Sequence, residues 1–132
     1  MKRNFSTSWI SSSQPRKQRK YRYEAPFHIK HKFLSAHLSK ELRAKHKIRS
    51  LPVRVGDEVL VMRGAFAKKK GKVAKVYFKK SRVTIEGIMR KKIDGSKLNV
   101  YLDPSKIQII TLKTDDKRRL SSGETKDAQL KK

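Results

Sequence analysis

The sequence lacks cysteine and has few acidic residues, and both absences narrow what the chain can do. Without cysteine there are no disulfides, no thiolate nucleophile and no cysteine-ligated zinc site. Only 11 acidic residues stand against 36 lysines and arginines, so the formal net charge is +25 and the pI is about 10.7. Repulsion among so many like charges destabilises a compact chain, and binding a polyanion removes that penalty. Nucleic acid is the first candidate for the polyanion, and an anionic membrane surface is the second.

The sequence also lacks the features that enzymes and membrane proteins need. No long apolar run or basic amphipathic helix favours a membrane partner, and Met1–Ser13 has no continuous apolar core typical of a secretory signal. There is no nucleophile–base set and no phosphate-cradling glycine loop, so we expect no enzymatic activity, no cofactor and no small-molecule substrate. The adjacent acids Asp57 and Glu58 point to opposite faces of a strand, so they do not form an acid–base pair.

Four histidines raise the question of a metal site. Two of them are three residues apart and could share a helical face, but no carboxylate or thiol set accompanies them, and cationic neighbours oppose a divalent ion. We therefore expect no metal and interpret the histidines as surface or RNA-facing residues. They are His28, His31, His37 and His46.

The strongest structural signal is the stretch Val53–Val76. Apolar residues alternate ahead of a charged loop, Gly64–Lys70, and a second strand-like run, Lys72–Phe78, follows it. Period-two alternation on both sides of a glycine-bounded turn predicts a β-hairpin with Val53, Val55, Val59 and Val61 in the core. The hairpin tip carries a dense positive charge from Lys68, Lys69, Lys70 and Lys72.

Further short strands are predicted after this hairpin. Asp94-Gly95 is a strong hairpin-turn signal, and Gly56-Asp57 indicates a turn or bulge before the main strand. Val73 and Val76 do not fit the period-two alternation, which indicates another irregularity in the second strand of the hairpin. Five or six short strands with glycine turns favour a small β-barrel. The later strands are predicted at Arg82–Glu86, Ile88–Ile93, Leu98–Leu102 and Ile107–Leu112.

The residues ahead of the barrel are predicted to form a basic arm and two short helices. Gln14–Tyr23 interleaves arginines and lysines with tyrosines and has too few apolar residues to pack as a helix, so it is either a solvated charge run or, as we favour, an arm that orders on RNA. Pro26 opens a helix over Phe27–Ala36. Ser39 caps a second helix over Lys40–His46. The predicted division is a disordered extension (1–13), a basic arm with short helices (14–50), a barrel (51–113) and a flexible tail (114–132).

Several of these motifs resemble a known family. A KOW motif is carried by small barrels of ribosomal and transcription-elongation proteins. The residues that resemble it are Gly56-Asp57, the alternating Val59–Val61, Arg63-Gly64, and Gly71-Lys72-Val73 with Val76. The flanking stretches QPRKQRKYRYEAP, HLSKELRAKHKIRSLPVRVGDEV and GIMRKKIDGSKLNVYLDPSKI resemble the archaeal and eukaryotic branch of one such family. That family is the KOW-containing large-subunit ribosomal protein numbered twenty-four in bacteria and archaea and twenty-six in eukaryotes. The resemblance covers about Gln14–Leu112.

The resemblance implies an SH3-like barrel on the 5′ domain of large-subunit rRNA, near the peptide exit tunnel, with an early role in subunit assembly. It also implies a cytoplasmic ribosomal protein that contacts neighbouring ribosomal proteins and is not a homo-oligomer. Gly71 would be the motif's key glycine, and Phe66 is either a packing residue or a base-stacking wedge. The expected rRNA contacts are Arg16, Lys17, Arg19, Lys20, Arg22, Lys40, Arg43, Lys47, Arg49, Arg63, Phe66, Lys68, Lys69, Lys70 and Lys72.

The chain departs from its relatives at two positions. Relatives usually have glycine near Lys68, where a left-handed residue is harder to form without glycine. Histidine is common where this chain has Asp103, which we therefore do not count as a phosphate contact. A KOW-type transcription-elongation factor is the alternative, although such factors carry an α/β domain ahead of the barrel and residues 14–50 are too short and too basic for one.

Overall fold

The computed structural model describes residues 5–116, 119 and 120, which contain three α-helices and eight β-strands. The helices are α1 (Pro15–Glu24), α2 (Phe27–Phe33) and α3 (Lys40–His46). The strands are β1 (Ser35–Leu38), β2 (Ser50–Pro52), β3 (Glu58–Val61), β4 (Lys70–Tyr77), β5 (Arg82–Ile85), β6 (Met89–Lys91), β7 (Lys97–Asn99) and β8 (Ile107–Thr111). Short 3-10 turns occupy Thr7–Ser11 and Pro104–Lys106.

Six of the strands form one mixed sheet in the order β2-β1-β8-β3-β4-β5. The pairing of β1 with β8 is parallel, and the other pairings in the sheet are antiparallel. The remaining strands, β6 and β7, form a separate two-stranded hairpin. A small, mainly β domain is therefore confirmed, whereas the sheet ends at β2 and β5 and does not close on itself within the described residues.

The predicted hairpin is confirmed as β3 and β4, in which Glu58 lies opposite Lys72. Gly56 has a φ of +91° and forms the turn before β3, a conformation that a glycine adopts without steric cost. Val59 and Val61 are fully buried, as their alternation predicts. Val55 is 53% exposed, so its assignment to the core is wrong. The turn at Gly56 interrupts the strand and takes Val55 out of the alternating phase.

The later strands follow the sequence pattern, except that β6 and β7 lie outside the core. The register of β4 against β5 shifts between Val73 and Lys75, which confirms the predicted irregularity. Asp94-Gly95 forms the predicted turn, with β6 and β7 on either side. All residues of both strands are exposed. Leu98 is thus outside the core, to which the described part of the chain contributes fourteen buried apolar residues, among them Val73, Val83, Ile107 and Ile109.

The expectation of a non-helical arm at Gln14–Tyr23 is wrong, because this segment forms most of α1. Gln14 is extended, as a residue before proline prefers, and Pro15 begins the helix at a position that tolerates proline. Arginine, lysine and glutamine have good intrinsic helix propensity. One apolar anchor then suffices: Tyr21 is buried, and its ring lies 5.2 Å from that of Phe5 and 5.7 Å from that of Phe33.

The other two helices agree with the sequence pattern, but one of them is shorter than expected. Ser39 caps α3 by accepting a hydrogen bond from the backbone of Leu42, as predicted. The helix that follows Pro26 ends at Phe33 instead of Ala36, because the next residues form β1. That strand pairs with β2 and β8, so α3 is framed by two strands that the sequence pattern did not reveal.

Within the described part of the segment predicted to be a flexible tail, the side chain of Arg119 is buried. Its side chain is 3% exposed and forms two hydrogen bonds of 2.6 and 2.5 Å with the carboxylate of Asp57, which is 0% exposed. Asp57 also accepts hydrogen bonds from the backbone amides of Arg54 and Lys113. Residues 1–4 of the predicted extension and residues 117, 118 and 121–132 of the predicted tail lie outside the described residues. The division into four segments remains a prediction.

Among the residues described, none of the helices combines the length and the apolar character that a membrane-spanning segment requires.

Candidate nucleic-acid interface

The loop between β3 and β4 presents the cations that the hairpin pattern predicted. The loop is closed by a hydrogen bond from the Lys68 amide to the Val61 carbonyl (2.8 Å) and one from the Val61 amide to the Lys69 carbonyl (2.9 Å). Lys68 has a φ of +68°, so this residue adopts the left-handed conformation that was expected to be harder to form without glycine. The basic side chains that the loop and the start of β4 expose are Arg63, Lys68, Lys69, Lys70 and Lys72.

Phe66 holds this loop against the core. Its side chain is partly buried and packs against the core cluster, and the ammonium of Lys69 lies 5.4 Å from the centre of its ring. Of the two alternatives for Phe66, the structure favours packing over base stacking. The loop thus has an apolar anchor and a charged outer surface.

Gly71 lies where β4 passes close to the end of β5. A Cβ atom at this position would come within 2.7 Å of the Ile85 methyl carbon Cγ2 and 2.8 Å of the Glu86 carbonyl oxygen. Any larger residue would push the strands apart next to the basic loop. Gly71 therefore acts through this close approach of the strands, and its φ is not in the left-handed region.

The predicted contacts in the basic arm lie on α1. All five are exposed, and the helix is held by Tyr21 and by the Gln18 side-chain amide, which donates to the carbonyls of Trp9 (2.9 Å) and Ser12 (2.6 Å). Neighbouring cations one turn apart repel each other by about 0.2–0.5 kcal/mol per pair. A bound anion would relieve this repulsion. The cations are Arg16, Lys17, Arg19, Lys20 and Arg22.

The third predicted set lies along and after α3. Lys40 and Arg49 are exposed, and Lys47 ends the helix in a left-handed conformation with a φ of +52°. Arg43 is partly buried, and its Nε donates to the Leu38 carbonyl at 2.9 Å. Arg43 therefore joins α3 to β1, and only part of its guanidinium remains for an outside partner.

The sequence reasoning missed a fourth group of cations, which lies at the turn between β4 and β5. Lys79 and Lys80 are exposed, and Arg82 is half-buried. Together with residues of α1 they line one cleft, so the helix and the turn contribute to a single basic surface. We call it the α1–turn cleft; its lining residues are Arg19, Arg22, Tyr23, Lys79, Lys80, Ser81, Arg82 and Asp103.

Asp103 is the single acid among the described residues that line the α1–turn cleft. Its carboxylate accepts a hydrogen bond from Arg82 Nη1 (2.8 Å) and two from Ser105, through the backbone amide (3.1 Å) and the hydroxyl (2.9 Å). Partial burial raises the pKa of Asp103, but the Ser105 hydrogen bonds and the charges of Arg82 and Arg22 outweigh it, so the pKa lies below its ordinary value of 3.8. Asp103 is thus held ionised and fixes Arg82.

The described residues contain no group of three histidine, cysteine or acidic side chains that could hold a metal ion. His31 stacks on Phe78, with 5.9 Å between the ring centres, so it joins α2 to the β4–β5 turn. His37 lies in β1. The expectation that the protein works without a metal stays a prediction.

Comparisons with known proteins agree on one family. A family model for the ribosomal proteins L26 of eukaryotes and L24 of archaea matches residues 12–125. The large ribosomal subunit protein uL24 of Korarchaeum cryptofilum is 44% identical over 110 residues, which cover 83% of this chain and 84% of that protein. Its counterpart in Methanospirillum hungatei is 46% identical over 110 residues, covering 83% and 92%. That of Methanocella arvoryzae is 44% identical over 117 residues, covering 89% and 94%.

Proposed function

The chain belongs to the family of ribosomal proteins L26 of eukaryotes and L24 of archaea, and from this we propose that it is a structural component of the large ribosomal subunit that binds rRNA. The match of the family model to residues 12–125 carries the proposal, because it includes nearly all of the described chain. Relatives named as ribosomal subunit proteins favour a structural role over an enzymatic one.

The charge distribution supports rRNA as the main partner. Folded RNA presents dense phosphate with base edges hidden in a deep, narrow groove, so a protein that holds it needs many cations and no catalytic pocket. Exposed basic side chains on α1, α3 and the β3–β4 loop supply these contacts. If six to ten phosphates are contacted, affinity falls roughly a thousandfold or more between about 50 and 200 mM salt.

The finer assignments rest on the family resemblance. We propose that the mixed sheet is an SH3-like KOW barrel, and that it lies on the 5′ domain of large-subunit rRNA, near the peptide exit tunnel. We also propose that it joins the subunit early in assembly, within cytoplasmic ribosomes, beside other ribosomal proteins and without forming a homo-oligomer. In the described residues, an antiparallel bridge joins Val83 of β5 to Leu102, beyond the β6–β7 hairpin, so pairing continues past the β5 edge of the sheet as a barrel requires.

Sedimentation of a lysate at high magnesium tests the ribosomal assignment. The protein is expected to sediment with the large subunit and to leave it in high salt. Co-purification with RNA polymerase, without ribosomes, would reject the proposal in favour of a KOW-type transcription-elongation factor.

A substitution in the β3–β4 loop tests the rRNA contacts. Replacing Lys68, Lys69, Lys70 and Lys72 with alanine removes four exposed cations and is expected to weaken binding to an rRNA 5′-domain fragment. The slope of log affinity against log salt should flatten by about 0.9 for each phosphate that is no longer neutralised. Replacing the same lysines with arginine keeps the charge and should keep the slope. Circular dichroism should be unchanged in both variants. An unaltered slope in the alanine variant would show that the loop does not contact rRNA.

A further inference from the structure

We propose that the α1–turn cleft binds an unpaired nucleotide of RNA, with its phosphate among the cleft's cations and its base stacked on Tyr23. The inference rests on the proposed binding of rRNA and adds a second site, away from the β3–β4 loop, with a stated class of ligand. The site combines residues from two elements that are far apart in the sequence, α1 and the β4–β5 turn.

The helix side of the cleft presents two arginines and one aromatic ring on a single face. Arg22 and Tyr23 follow Arg19 by three and four residues, so both are its neighbours on the surface of α1. Arginine binds phosphate with two parallel N–H donors, which gives it a preferred geometry. The buried Tyr21 fixes the rotation of the helix and therefore the direction in which these residues point.

The turn side of the cleft supplies cations that are held in place. The Lys80 ammonium lies 4.6 Å from the centre of the Tyr101 ring, and Arg82 is fixed by Asp103. Ser81 has a φ of +50°, so the turn bends sharply between these two residues. Of the described residues, five cations and one carboxylate line the cleft, which leaves it strongly positive. A cleft of this charge is suited to a phosphodiester.

Tyr23 indicates that the nucleotide is unpaired. Its side chain lines the cleft but is 83% exposed, one of the most exposed large apolar residues among those described. Exposed aromatic rings beside cations are typical of proteins that bind single strands, because an unstacked base can cover the ring. Bases within an RNA duplex are stacked on each other and cannot do so. The cleft therefore favours a loop, a bulge or a strand end.

The test measures how the full-length protein binds two fluorescein-labelled RNAs, an oligouridylate and a duplex of the same length. Tyr23→Ala should weaken oligouridylate binding about five-fold or more, the loss expected for one stacked base, and leave duplex binding unchanged. Tyr23→Phe keeps an aromatic ring and should bind as the unaltered protein does. Phe27→Ala, which removes an exposed ring outside the cleft, is the matched control and should have no effect.

A second variant tests whether the lysines of the α1–turn cleft bind a phosphate. Replacing Lys79 and Lys80 with alanine should flatten the salt slope for the oligouridylate by about 0.7 for each phosphate that is no longer neutralised. Binding of the rRNA 5′-domain fragment is measured in parallel with both sets of variants. If the fragment binds but Tyr23→Ala and the lysine variant behave like the unaltered protein, the cleft proposal is overturned and the ribosomal proposal stands. If the unaltered protein does not bind the fragment at all, both proposals fail.

Discussion

Two arginine–aspartate ion pairs in this protein differ in how far water can reach them, and we infer that they therefore have different roles. Asp57 and Arg119 are both almost fully buried, whereas Asp103 and Arg82 have side chains that are 36% and 42% exposed. Asp57 also accepts hydrogen bonds from two backbone amides, and Asp103 accepts one from the amide of Ser105. The buried pair holds the end of the described chain against the turn before β3. The half-exposed pair lies in a basic cleft and arranges charge for a partner.

The comparison shows that an ion pair's role depends on its access to water. A pair exposed to solvent is weakened by hydration and salt and contributes about 0–1 kcal/mol to stability. A buried pair gains little over a well-packed apolar pair, but removal of one partner leaves a charge that water cannot reach. We therefore expect the Asp57–Arg119 pair to govern stability and the Asp103–Arg82 pair to govern recognition.

Breaking the buried pair should have the largest effect on stability. Arg119→Ala leaves the Asp57 carboxylate buried with only backbone amides as donors, so the free energy of unfolding should fall by about 3–5 kcal/mol. Urea denaturation followed by circular dichroism measures this loss. Arg90→Ala, which removes an exposed arginine from β6, is the control and should change the midpoint little. Equal midpoints for the two variants would show that Arg119 is not anchored at Asp57.

Replacing the arginine of the half-exposed pair with alanine should lower the free energy of unfolding much less. Arg82→Ala removes the 2.8 Å ion pair with Asp103, but water and Ser105 still satisfy the carboxylate. The expected loss is about 0–1 kcal/mol in the same urea titration. A loss as large as that of Arg119→Ala would remove the distinction between the two pairs.

Much of the fold can be predicted from the sequence because its signals are local. The β3–β4 hairpin follows from alternating valines and a glycine-bounded loop, and the α3 start follows from Ser39 and the charges of the first and last turns. Each of these features depends on residues within one turn or one strand pair.

The features that sequence reasoning missed depend on distant partners. The short strand β1 becomes a strand because β8, about seventy residues later, pairs with it in parallel. Helix α1 is stabilised by the packing of Tyr21 against Phe5 and Phe33. No periodic pattern in the sequence predicts this packing. Arg119 looks like any other cation of a charged tail, and only the fold shows that Asp57 lies within reach. The α1–turn cleft likewise exists only once the helix is docked.

The pH dependence of the Asp103–Arg82 pair is the smallest of the expected effects on the free energy of unfolding. Because the folded-state pKa of Asp103 lies below its ordinary value of 3.8, its ionised form stabilises the fold at pH values above that value. This contribution is lost as the pH falls through the folded-state pKa, when the carboxylate is protonated in both states. Asp103→Asn has no such titration and still offers an oxygen to Ser105.

The stability difference between the unaltered protein and Asp103→Asn should therefore be constant above about pH 5 and shrink as the pH falls below 3.8. Urea midpoints measured across that range test the expectation, and taking the difference cancels the titration of acids common to both proteins. A difference that grows on acidification would mean that Asp103 is more easily protonated in the folded protein. In that case the Ser105 hydrogen bonds and the arginines would not outweigh its partial burial, and the carboxylate could not be the fixed anchor of Arg82.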